Sequence, residues 1–297
     1  MKKIYLLLLL LCLLGFEASG GTKRALVVCI GAYPPESGWN TLSSQNDKAL
    51  VLATLSRCGF PVSNISLLEE SKATCAAIVS ALEQLAADAR PGDQVYIHFS
   101  CHGQQITDQD GDEALRDPKD RLDEALVPYD AFISYNWHGY KGDRHLIDDT
   151  INALLHRIHQ AVGRRGTVLL VADACHSGDV SRDDADAPLP PFRGAVDVFE
   201  QPFYGTTTKP VVNPVSWISL SACKEFQTNF EVEVNGRWYG RLTYALSRCL
   251  EPGMTAGQLC DALLVQYRQL PLPKGKSQTP WFVIPEKMKS RKLFDGR

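Results

Sequence analysis

Continuous apolar runs alternate along the chain with segments whose apolar positions recur every three to four residues. Ala25 to Ile30 is one such run, broken at Gly31 and the Pro34-Pro35 turn. From Asp47 to Arg57, Leu50, Val51, Leu52 and Leu55 fall at helical spacing, and Gly59 stops the pattern. Val62 to Leu68 reads as a second strand, and Ala73 to Ala89 as an amphipathic helix ended by Pro91-Gly92. Gln94 to Ser100 (QVYIHFS) is a third strand; a helix from about Asp149 to Val162 leads into a fourth, Thr167 to Asp173 (TVLLVAD). Further on come a strand over Val215 to Ala222, helices over Leu242 to Leu250 and Thr255 to Gln269, and a strand over Trp281 to Ile284. No internal repeat is visible. Strands and helices in this alternation predict an α/β fold: a mostly parallel sheet of about six strands, helices on both faces, and right-handed crossovers.

Two stretches fall outside that pattern. Residues 1–20 join a basic start, Lys2-Lys3, to the apolar run Ile4 to Leu14 and the small residues Ala18-Ser19-Gly20. This is the layout of a secretory signal peptide. The run is too short to cross about 30 Å of hydrocarbon, so the expectation is export (periplasmic, cell-surface or secreted) without a stable membrane span. Residues 181–214 crowd Asp, Pro and Gly (RDDADAPLPPFRG) and predict an exposed linker. It divides a large segment, 21–180, from a small one, 215–297. The net charge of −3 offers no basic field for nucleic acid. Acidic residues concentrate between Asp108 and Asp130 and suggest a cation-binding loop. The nine cysteines include no C-x-x-C pair, and several sit within apolar patterns as buried thiols would.

Chemistry in parallel sheets concentrates on loops leaving the carboxyl ends of strands. The third strand ends in Ser100-Cys101-His102-Gly103 and the fourth in Asp173-Ala174-Cys175-His176-Ser177-Gly178. If these strands are neighbours, His102 and Cys175 meet at one edge of the sheet. An imidazole there turns a thiol into a nucleophilic thiolate, and amides of Gly103 and Cys175 are candidate oxyanion donors. The bland alternative is a structural cysteine beside a loop histidine.

The segments HFSCHG and VADACHSG resemble the paired His-Gly and Asp-x-Cys-His-Ser-Gly motifs of metacaspases and their prokaryotic relatives, the orthocaspases. ALVVCIGAY, the helix start Gln45-Asn46-Asp47, DEALVPYD and WISLSACKEFQTNFE extend the likeness through most of the chain. Cys101 departs from it, since the family usually has glycine there. The resemblance implies a caspase-haemoglobinase fold and a cysteine endopeptidase cutting protein or peptide substrates after Arg or Lys. It places Asp47 and Asp173 as carboxylates of the primary specificity pocket, although Asp47 is also placed as an ordinary charge at a helix start.

Calcium is the cofactor that the resemblance implies, with ligands at Asp123, Asp148 and Asp149. The position matching a fourth is Arg182, with Asp183 adjoining it. Asp148 and Asp149 are equally placed to begin a helix. The run Asp108 to Glu113 lacks glycine at the sixth position, and the bidentate glutamate is missing at the twelfth, so it reads as a solvated loop rather than a calcium loop. Arg182, Arg193 and Lys209 make self-cleavage in or beside the linker an expectation. The rivals are a clostripain- or gingipain-like peptidase of the same fold, and a caspase-like scaffold with a vestigial site.

Overall fold

The structure, a computed structural model, describes residues 21–111, 113, 121–175, 190–203, 205 and 215–295. Six strands form the central sheet. In chain order they are β1 (Lys23–Cys29), β2 (Ile65–Glu69), β3 (Gln94–Ser100), β7 (Thr167–Asp173), β8 (Ile218–Ser221) and β11 (Trp281–Val283), in the spatial order β11-β8-β7-β3-β1-β2. All neighbours pair in parallel except β11, which runs antiparallel to β8.

The two-residue alternation of a strand splits each apolar run between two cores. Leu26, Val28 and Ile30 join Ile97, Phe99, Val168 and Leu170 on one face. Helices α2 (Cys75–Asp88) and α3 (Asp148–Val162) cover that face. Ala25, Val27 and Cys29 join Tyr96, Leu169 and Val171 on the other. That face lies under α1 (Ser44–Arg57), α4 (Arg241–Cys249) and α5 (Ala256–Gln269). Local chemistry sets the helix ends. Thr74 caps α2 by accepting the amide of Ala77, and Thr255 with Gln258 forms a reciprocal capping box on α5. Along α3 the buried residues Ile151, Leu154, Leu155, Ile158 and Val162 keep the spacing of one helix face.

Smaller sheets flank the carboxyl edge. β4 (Gly103–Thr107), β5 (Leu122–Leu126) and β6 (Leu146–Ile147) form an antiparallel trio, and β9 (Glu231–Val234) with β10 (Arg237–Gly240) forms a hairpin. Asn235 and Gly236 turn the hairpin with φ of 52° and 75°, the primed-turn geometry that an Asn-Gly pair supplies. All eight described cysteines are free thiols, and no described helix is long and apolar enough to cross a membrane.

The expected linker is corrected in part. Residues 190–203 are not an exposed loop: Arg193, Ala195 and Phe199 are buried. Phe192 bridges Phe230, and Phe199 bridges Ile106. The segment lacks periodicity because it packs as an irregular strand against two small sheets rather than as an element of the main one.

Candidate active site

Parallel pairing of β3 with β7 aligns Ser100 with Asp173. The chain then carries His102 and Cys175, each two residues further, over the same sheet edge. Both are buried. His102 is held from three sides. Its ring stacks on Trp39 at 4.8 Å between centroids and tilts against Tyr33 at 5.2 Å. Its Nε2 lies 2.8 Å from the carbonyl oxygen of Asn40. A carbonyl only accepts, so Nε2 carries the proton and Nδ1 the lone pair. Nδ1 has no hydrogen-bond partner among the described residues, which leaves it available as a base. Burial pushes this imidazole down to about 4, so it is neutral in the folded chain. Gly103, the second candidate oxyanion donor, opens β4 directly after it.

The Cys175 thiol donates to the carbonyl of Gln227 at 3.1 Å. Cys223 donates to the same carbonyl at 3.0 Å, with its sulfur 3.8 Å from that of Cys175. The amide of Cys175 donates to the carbonyl oxygen of Arg193 at 2.7 Å, the kind of bond that an oxyanion donor makes. Cys101, between Ser100 and His102, points into the apolar core on the α2–α3 face. Burial pushes its thiol up to about 12, so the cysteine at the family's glycine position packs as a small apolar side chain.

Beside the thiol lies a buried acidic pocket, and Arg193 fills it. Its guanidinium is 2.7 Å from Asp47 and 2.9 Å from Glu231, and lies 3.8 Å from Asp173. It also donates to the hydroxyl of Ser100 at 2.8 Å. Burial raises the Asp47 carboxyl to about 6, against the pull of Arg193. Burial pushes Asp173 upward too, but the charge of Arg193 and donors from Asn229 and Thr243 outweigh it, leaving that carboxyl below its ordinary range. Those donors are Asn229 Nδ2 at 2.9 Å and the amide and hydroxyl of Thr243, each at 2.7 Å. Asp173 is the fixed anion of the pocket and Asp47 the titratable one.

Asp47 is therefore more than a helix-start charge. It accepts from Ser100 and from the amide of Gly240. Gly240 is required by space, since a Cβ there would overlap Asp173 and Arg193. Glu231 went unrecognised in the sequence because it lies on a strand with no motif of its own. The Asn235-Gly236 turn five residues on is the signal that could have placed it.

Of the predicted calcium ligands, Asp148 falls in a carboxylate group. Glu113, Glu124 and Asp148 each offer a carboxylate oxygen, all within 4.8 Å of one another. Hard oxygen donors so gathered fit calcium. Asp123 and Asp149 stand outside this group: Asp123 is next to Glu124 on β5 and projects from the other face, and Asp149 follows Asp148 in the first turn of α3. Neither Asp148 nor Asp149 caps that helix, whose N-cap is Ile147. Asp183 and Arg182 lie outside the described residues. The run from Asp108 is not fully solvated either: Asp108 accepts the amides of Asp110 and Gly111, and Glu113 is buried. A cavity of about 470 Å³ is lined by Glu124 and Asp148 and also by Cys223.

A thiol and an imidazole at adjacent strand ends, beside a carboxylate pocket on a mostly parallel sheet, define a cysteine-type endopeptidase of caspase-haemoglobinase architecture. The caspase domain family model matches residues 22–289, and the chain belongs to that family. Within it the chain is metacaspase-like. It is 26% identical to metacaspase-1 of Schizosaccharomyces pombe over 86% of this chain and 68% of that one. It is 29% identical to metacaspase-2 of Arabidopsis thaliana, over 82% of this chain and 56% of the plant protein. Against metacaspase-1 of Eremothecium gossypii the identity is 33%, over 53% of this chain and 32% of the relative. The chain thus spans about two thirds of the first relative's length and less of the other two. A crystal structure of a Geobacter sulfurreducens protein shares the fold with a TM-score of 0.64 at 23% identity, over 92% of this chain and 98% of that one.

Proposed function

We propose that the chain is an exported endopeptidase that cuts peptide bonds after arginine or lysine, with Cys175 as nucleophile and His102 as acid and base. One observation carries the specificity: a guanidinium sits among Asp47, Asp173 and Glu231 while the carbonyl of the same residue rests on the amide of Cys175. A buried cluster of three carboxylates favours a cation of that shape over a neutral or acidic side chain. In the reaction the thiol gives its proton to Nδ1 of His102 and attacks the carbonyl carbon. The Cys175 amide, with that of Gly103, holds the oxyanion, and His102 then protonates the leaving amine. Water, activated by the same imidazole, releases the acyl group. Export rests on the composition of residues 1–20. Self-cleavage beside the basic residues of the linker region belongs to the same reading.

Calcium is the proposed activator, held by Glu113, Glu124 and Asp148, whose mutual repulsion it would relieve. Its binding is expected to raise the melting temperature of wild type by about 2 °C or more, roughly the shift that 1 kcal/mol gives a domain of this size. The Glu124→Gln/Asp148→Asn double variant should show no such rise.

Arginyl, lysyl and aspartyl coumarylamides, assayed with and without calcium, test the specificity. The first two should be cleaved, and Asp173→Ala should lose about a hundredfold or more in kcat/KM on arginine. Unchanged arginine cleavage by that variant would remove Asp173 from the pocket.

A further inference from the structure

Two buried chains of hydrogen bonds converge on Asp173. Alternation along β3 turns Tyr96, His98 and Ser100 to one face, and pairing with β7 sets Ser100 opposite Asp173. Thr243, in the first turn of α4, donates its hydroxyl and its amide to Oδ2 of Asp173. His98 Nε2 lies 3.1 Å from that hydroxyl, and His98 Nδ1 lies 2.9 Å from the hydroxyl of Tyr96. Tyr96, His98, Thr243 and Asp173 are each 1% exposed or less.

Elementary chemistry fixes the direction of every proton in this chain. An ionised carboxylate only accepts, so the Thr243 hydroxyl gives its proton to Asp173 and turns a lone pair to His98. Nε2 of His98 therefore carries the ring proton, and Nδ1 accepts from Tyr96. Burial pushes the phenol up, so it keeps its proton, and pushes the imidazole down to about 4, so the ring is neutral. The second chain reaches the other oxygen. Gln278 Oε1 accepts the amide of Phe230 at 3.1 Å, which leaves its Nε2 to donate to Oδ1 of Asn229 at 2.7 Å. Asn229 then presents its donating end, Nδ2, to Oδ1 of Asp173 at 2.9 Å.

We infer that His98 and Gln278 are positioning residues for substrate specificity: through Thr243 and Asn229 they hold Asp173 as a fixed anion that attracts the basic side chain by charge. The distances divide the labour. A guanidinium in the pocket lies 2.7 Å from Asp47 and 2.9 Å from Glu231, but 3.8 Å from Asp173, whose two oxygens already accept from Thr243 and Asn229. At that range, away from water, a full charge still acts strongly. The inference rests on the reading of Asp173 as a pocket carboxylate and adds to it the residues that keep it one.

The test measures kcat and KM of the purified full chain on arginyl coumarylamide, together with the melting temperature. His98→Leu and Gln278→Leu should each raise KM about threefold or more, the scale of one buried hydrogen bond, with kcat within about twofold. His98→Gln, whose side-chain amide still donates to Thr243, should return KM toward wild type. In Tyr96→Phe/His98→Leu the phenol that would lack a partner is gone, so the melting temperature should recover while KM stays raised. Should the leucine variants not fold, Thr243→Val and Thr243→Ser make the same comparison: KM up about tenfold for valine and near wild type for serine. A wild-type KM in folded His98→Leu or Gln278→Leu, or a KM that merely follows the melting temperature through the series, overturns the inference and leaves Asp173 in the pocket. If Asp173→Ala itself cleaves arginine unchanged, the pocket reading falls and the inference falls with it.

Discussion

Asp47 and Asp173 share one guanidinium but differ in what else they accept. Three donors from Asn229 and Thr243 fix Asp173 as an anion, whereas burial holds Asp47 at about 6. With Arg193 in place, the pocket therefore carries its full negative charge only above that pH. We expect KM for arginyl substrates to rise as falling pH protonates Asp47, which burial makes easier to protonate, with kcat following its own profile. A KM independent of pH between 5 and 7 would mean that Asp47 does not face the substrate. Its effect on stability has the opposite sense to that of an ordinary salt-bridged carboxylate. The folded chain holds this proton more tightly than the unfolded one, whose value is near 3.8, so this contribution declines as pH climbs from 3.8 through 6.

At the scale of elements, one register decides the site. β3 beside β7 places His102 and Cys175 at the same edge, although 72 residues separate them in sequence. The same period of two sends Cys101, next to the base, into the opposite core. Cys101→Ala should keep arginyl cleavage within about twofold and cost about 1 kcal/mol of stability, the usual price of a small buried truncation. A large loss of activity with unchanged melting would give Cys101 a role that its position does not suggest. Strands β3 and β7 were legible to the residue, because both are fully buried and read as unbroken apolar runs. β4, β5, β9 and β10 were not legible, because they are short, mixed in polarity and stabilised by pairing to distant partners. Those elements carry Glu231, Gly240 and the amide of Gly103.

Across the whole molecule, β8 lies between β7 and β11 in one sheet. Self-cleavage anywhere between β7 and β8 would put β7 on one fragment and β8 with β11 on the other, joined by backbone bonds along the pair. The two products should co-elute on gel filtration and part only in denaturant; separation in native buffer would contradict the sheet order. Acid should unfold the chain early. Burial pushes His98 and His102 down to about 4 and His145 to about 3. Each binds a proton far more readily once unfolded, near 6.5. Stability from these three is complete above 6.5 and is lost as pH falls toward 4, outweighing the single opposing change at Asp47. The melting temperature should drop steeply between pH 6.5 and 4.5, and less so for His145→Gln.

The sequence by itself determined the sheet-forming runs, the helices that cover them and the two strand ends that carry the thiol and the imidazole. Apolar periodicity and turn residues are local signals, and a parallel α/β sheet is built from them in chain order. Only the tertiary structure decided what fills the pocket. Arg193 and Glu231 stand in segments without periodicity or motif, and their meeting with Asp47 and Asp173 depends on long-range pairing. The same holds for the carboxylate group in which Glu113 and Glu124 meet Asp148, residues that no spacing along the chain brings together.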